Sequence, residues 1–181
     1  LFSKKSNKKS VYFAKKSLKI LTKNYIDFVT KPTIKNAYQM CIAANYSGEA
    51  INISRTTAPH ALSYPFTAHF GIDHGHAVSL TLNDFLKFNY FNSDMADCNF
   101  NLKERYKILF NITKTKNILE LDQYIHALKK KASLENSFKK LKININTSIN
   151  KILSGVNPQR LGNNPVKLTI SDIKNILLSK I

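Results

Sequence analysis

A chain of 181 residues with 43% hydrophobic side chains and only 5 glycines and 5 prolines has a globular composition, which excludes a disordered or low-complexity segment. Its 28 Lys and Arg against 11 Asp and Glu give a formal charge of +17, yet only Arg55, Arg105 and Arg160 are arginines, the usual readers of base edges and phosphates. Lysines spread over every predicted helix, together with abundant asparagine, point to a compositional bias, so no nucleic-acid partner is expected.

No apolar run reaches the roughly 18 to 20 residues that span a bilayer, and no membrane partner is expected. Cys41 and Cys98 lack CxxC spacing, which argues against a disulfide scaffold or a zinc ribbon and for reduced thiols in the cytoplasm. Leu1 in place of Met leads us to expect a piece of a longer chain. The expected organisation is one all-α domain over residues 1–181.

In chain order, residues 3 to 23 begin with a lysine- and serine-rich run. They then read as an amphipathic helix, with Tyr12, Phe13, Ala14, Leu18 and Leu21 on one face. After a connection over Asp27 to Lys31, Pro32 opens a second helix that Gly48 is expected to end. Its small residues Ala43, Ala44, Ser47 and Gly48 imply a closely packed neighbouring backbone. Pro59 suits the first turn of a third helix, where its missing N–H is no loss. Pro65 and Gly71 are expected to interrupt that helix, and His74-Gly75 opens another running to about Phe91. Asn89 to Asn101 is turn-rich and polar. Helices are predicted over Leu102–Thr113, Asn117–Lys131, Ser133–Lys142 and Ser148–Leu153, with Ile143–Thr147 as a loop. The capping box Thr169-Ile-Ser-Asp172 opens a last helix to Lys180.

Four of the five histidines fall in the 27 residues from Thr56 to Leu82. His60 shares a helical face with Tyr64 one turn later. His74 is too distant for that face, but on a second helix beyond a bend its imidazole could meet that of His60. Two neutral imidazoles at one point are candidate metal ligands, and catalytic sites of this kind take about three protein ligands with one position open. Asp122 and His126 also have i,i+4 spacing, where an ordinary surface pair is expected.

The pattern His60-Ala-x-x-x-Pro65, with His74-Gly-x-Ala-Val fourteen residues after the first His, resembles the second signature of the iron-containing (group III) alcohol dehydrogenases. The likeness continues through Ala43-Ala-Asn-Tyr-Ser-Gly-Glu-Ala50 upstream. It reaches the tail Val156-Asn-Pro-Gln-Arg160-Leu and Asn163-Asn-Pro165. The fold implied is the C-terminal helical domain of the dehydroquinate synthase-like and iron-containing alcohol dehydrogenase fold. By resemblance, His60 and His74 are metal ligands. An Asp-x-x-x-(His/Gln) motif completing the set, and a nucleotide-binding domain with its Gly-rich loop, are expected before Leu1, so the chain alone is expected to be inactive.

The implied chemistry is hydride transfer between NAD(P)H, bound mainly by the missing domain, and a small aldehyde or alcohol. A divalent metal, iron or zinc, holds the oxygen. Tyr64 stands where many relatives carry histidine and is a candidate for hydrogen-bonding the cofactor's ribose. His76 is a candidate for lining the substrate pocket. Arg55, five residues before His60 in a run that resembles the phosphonoacetaldehyde-reductase branch, is a candidate anchor for an anionic, phosphonate-like substrate. The alternative is a dehydroquinate synthase-like sugar-phosphate cyclase. A homo-oligomer is compatible with either reading.

Overall fold

The computed structural model describes residues 1–180, and every regular element among them is helical. In chain order these are α1 (Lys8–Thr30), α2 (Ile34–Ser54), α3 (Ala58–Phe70), α4 (His74–Phe91) and a 3-10 turn at Ser93–Met95. There follow α5 (Leu102–Thr113), α6 (Ile118–Lys131), α7 (Ile145–Ser154), α8 (Pro158–Leu161) and α9 (Ile170–Leu178). The chain forms two compact units, Leu1–Arg55 with Cys98–Ser133, and Thr56–Asp97 with the residues from Leu134 onward.

In the first unit, α1 and α2 make a helical hairpin. Asn7 and Thr33 start the two helices, each closing a capping box with the residue three positions on, Ser10 and Asn36. The seam pairs small buried residues with a stacked aromatic contact between Phe13 of α1 and Tyr46 of α2, ring centroids 6.1 Å apart. The Ser17 hydroxyl donates to the Ala43 carbonyl at 2.8 Å, both residues being buried, and the Ser3 hydroxyl donates to the Ser54 carbonyl. Of the small-residue run in α2 expected to meet a close neighbour, only Ala43 is buried; Ala44 and Gly48 are exposed, and nothing lies within 4 Å of where a Cβ on Gly48 would sit. Gly48 does not end α2, however. Ala50 and Ser54 beyond it are buried, so packing carries the helix on through a glycine that by itself costs about 0.5–1 kcal/mol. The helix stops at Arg55, whose φ of 60° and ψ of −178° lie in a region favoured by glycine. Helices α5 and α6 complete this unit, burying Leu102, Tyr106, Leu109, Ile118 and Leu121.

The second unit is built on an apolar core of α3, α4, α7 and α9, in which Leu62, Phe66, Leu80, Ile152 and Leu177 are fully buried. The stretch 133–142, expected to be helical, is a series of turns. Two causes are visible. The Glu135 carboxylate accepts the N–H groups of Asn136 and Ser137 at 2.9 and 2.8 Å, and Phe138 is buried with its ring stacked on Phe66, centroids 5.6 Å apart. Ser133 and Lys142 at its two ends have positive φ. Residues 145–147, expected to be loop, instead begin α7, capped by Asn144.

Pro65 does not interrupt α3, which runs to Phe70 and closes on Gly71 in the left-handed conformation. A proline inside a helix removes the N–H that would bond to the carbonyl four residues back. That carbonyl, on Ala61, accepts the Asn157 N–H at 3.3 Å instead. The notch at Pro65 thus becomes the seat of the α7–α8 connection. Gly155 lies so close there that a Cβ would come within 2.9 Å of the Pro65 Cβ.

Candidate metal and substrate site

Three steps in the second unit bring the chemistry together. Thr57 precedes α3, whose first turn carries Pro59 and presents His60 half-buried. Gly71 then reverses the chain, buried Ile72 anchors the bend, and His74 opens α4. The rings of His60 and His74 meet with centroids 5.6 Å apart, and the Tyr64 ring stands 5.9 Å from that of His74. The face is open, with His74 exposed and Tyr64 37% accessible.

The hydrogen-bond partners of Ser63 assign a tautomer to His74. The buried Ser63 hydroxyl lies 2.8 Å from the His60 carbonyl and 3.2 Å from His74 Nδ1. A hydroxyl has one proton, and the carbonyl can only accept it, so Ser63 accepts from His74. Nδ1 therefore carries the hydrogen, and the lone pair is left on Nε2. Burial, aided by the nearby His74 and Arg160, lowers the pKa of His60 to about 4. Its imidazole is neutral at physiological pH, the state in which it can bind a metal. Among the described residues no group of three His, Cys, Asp or Glu side chains is placed to hold an ion.

The tail clamps the segment leading into His60. Asn163 Nδ2 donates to the Thr56 carbonyl at 2.9 Å, and Asn89 and Asn164 exchange amide hydrogen bonds of 3.2 and 2.7 Å between α4 and the tail. Arg160, on α8, donates from Nη1 to Thr56 Oγ1 at 2.5 Å and lies over the Tyr64 ring, 5.2 Å from its centroid. Its role was not read from the sequence, although it is one of only three arginines and sits within the tail motif.

The remaining candidates have partners or surroundings of their own. His76 Nε2 donates to the Glu135 carbonyl at 2.6 Å, fastening the 133–142 turns to α4. His69 is exposed in the last turn of α3. Arg55 is exposed and belongs to the first unit, whereas His60 and His74 belong to the second. In α6, Asp122 and His126 form the expected i,i+4 pair at 3.6 Å.

The sequence profile of the Fe-containing alcohol dehydrogenase family, C-terminal, matches residues 1–181. The chain belongs to this family. Among curated relatives of this iron-type dehydrogenase domain is the phosphonoacetaldehyde reductase of Streptomyces viridochromogenes, 46% identical over 48 residues, which are 26% of this chain and 12% of that protein. Among solved structures, the sulfoacetaldehyde reductase of Bifidobacterium kashiwanohense, in complex with NAD+, is 25% identical with a TM-score of 0.85. That match covers 99% of this chain and 46% of the reductase. The alcohol dehydrogenase of Oenococcus oeni has the same fold at 17% identity, with a TM-score of 0.85 over 99% of this chain and 47% of its own. The chain thus spans about half the length of its structural relatives. The helical fold implied by the histidine signature is the one observed. No helix among the described residues is long and apolar enough to cross a membrane.

Proposed function

We propose that the full-length protein is a metal-dependent, NAD(P)-linked reductase of small aldehydes, in which residues 1–181 form the metal-binding C-terminal domain. The carrying observation is the pair itself: two imidazoles from different helices, 5.6 Å between centroids, one kept neutral by burial and the other with its Nε2 lone pair directed by Ser63. This donor set fits a divalent ion, and imidazole suits iron and zinc alike. Further ligands and most of the nucleotide site would come from the rest of the protein.

Bound there, the metal would polarise a carbonyl oxygen as a Lewis acid and the nicotinamide would supply the hydride. This chain's residues would do the positioning. His60 and His74 hold the ion, Ser63 holds the His74 ring, and the phenol of Tyr64 is placed to hydrogen-bond substrate or cofactor at the open face. The names of two relatives, a phosphonoacetaldehyde reductase and a sulfoacetaldehyde reductase, support a short anionic aldehyde as substrate. Free thiols at Cys41 and Cys98 suit a reducing cytoplasm.

The test is metal content and NAD(P)H-dependent aldehyde reduction by the full-length protein, before and after His60→Ala and His74→Ala. Each substitution is expected to remove most of the bound metal and the turnover while leaving the helical circular dichroism intact. Full metal occupancy in both variants would overturn the ligand assignment.

A further inference from the structure

An anionic aldehyde needs a fixed cation near the group that receives its carbonyl, and the second unit offers one. The Arg160 guanidinium lies over the face of Tyr64, whose ring neighbours that of His74. Of its five N–H donors one goes to Thr56 Oγ1, and none of the ion pairs among the described residues involves Arg160. Its placement is built rather than incidental. Pro65 opens the Ala61 carbonyl, the Asn157 N–H occupies it, and the Asn157 side chain caps α8 by accepting the Arg160 N–H at 3.0 Å. A ring stacked beneath the guanidinium and a buried threonine at one edge hold the planar fork in one orientation. Bidentate recognition of a tetrahedral oxyanion requires that.

We propose that Arg160 binds the phosphonate, phosphate or sulfonate end of the substrate aldehyde while the carbonyl faces the His60–His74 pair. The proposal rests on the reductase reading above and assigns its substrate selectivity to one residue. It also separates Arg160 from Arg55, the arginine closer in sequence to His60.

The experiment uses the metal-loaded full-length enzyme and two aldehydes, phosphonoacetaldehyde and the neutral propanal. A non-reducible probe, phosphonoacetate, is followed by calorimetry. Arg160→Met is expected to lower kcat/KM for phosphonoacetaldehyde about ten- to a hundredfold and to weaken phosphonoacetate binding by a similar factor. Its effect on propanal is expected to stay within about threefold. Arg160→Lys, which keeps the charge but not the fork, is expected to recover part of both losses. It carries the test if the methionine variant fails to give a cooperative melt. Arg55→Met is expected to leave the ratio between the two aldehydes unchanged. Equal losses on both aldehydes, no loss on either, or a selective loss in Arg55→Met alone would overturn the proposal. Wild-type enzyme that reduces neither aldehyde would defeat the reductase reading itself. Wild-type enzyme that treats the two alike would defeat only the role of Arg160.

Discussion

In the first unit two long helices lie together, with Ser17 bonded to the backbone of Ala43 and Phe13 stacked on Tyr46. In the second, shorter helices enclose a larger apolar core, and a tail of asparagines is hydrogen-bonded into the segment before His60. Charge divides the same way. The first unit carries nineteen Lys and Arg against five Asp and Glu, and the second carries nine against six. The chain's basicity therefore belongs mainly to the unit without the histidine pair, and it says little about the chemistry of the site. Where the candidate site lies, buried Ser63, Thr56, Asn163 and Asn164 are hydrogen-bonded. Buried polar groups of that kind fix geometry because leaving one unpaired costs about 1–3 kcal/mol.

The largest expected effect breaks the second unit's core. Phe66 is fully buried against Phe138, so Phe66→Ala is expected to cost about 3–5 kcal/mol, read as a lowered urea midpoint of the full-length protein. A loss below about 1 kcal/mol would mean that this core does not hold the unit that bears the histidines.

Ser63→Ala probes the polar layer above that core. Removing the hydroxyl frees the His74 ring to choose its tautomer and is expected to weaken metal affinity about ten- to a hundredfold, with the helical content unchanged. Unaltered affinity in a chelator competition would show that Ser63 only caps the His60 carbonyl.

The smallest effect sharpens the contrast from the other side. Gly48 lies inside α2 with nothing within 4 Å of where a Cβ would sit. Gly48→Ala is expected to stabilise the protein by about 0.5–1 kcal/mol, seen as a raised urea midpoint. A destabilised variant would reveal a neighbour at that face of the first unit.

Local signals in the sequence carried the all-α class, the capping box at Thr169-x-x-Asp172, and the pairing of His60 with a His74 on the next helix. Each depends on spacing within a few turns of chain, which a linear reading can follow. The start of α2, expected at Pro32, is set instead by the Thr33–Asn36 capping box. Tertiary structure decided the rest. Packing of Ala50 and Ser54 carried α2 past Gly48, a backbone N–H from Asn157 let α3 continue through Pro65, and burial of Phe138 with the Glu135 turns replaced an expected helix. Arg160 reached Tyr64 and Thr56 from about a hundred residues away in sequence. The Glu135 turn bonds are local and compete with helix through a side chain that accepts from the next two N–H groups. The Asn157, Phe66 and Arg160 contacts, by contrast, join residues remote along the chain, where propensity and periodicity hold no trace of them.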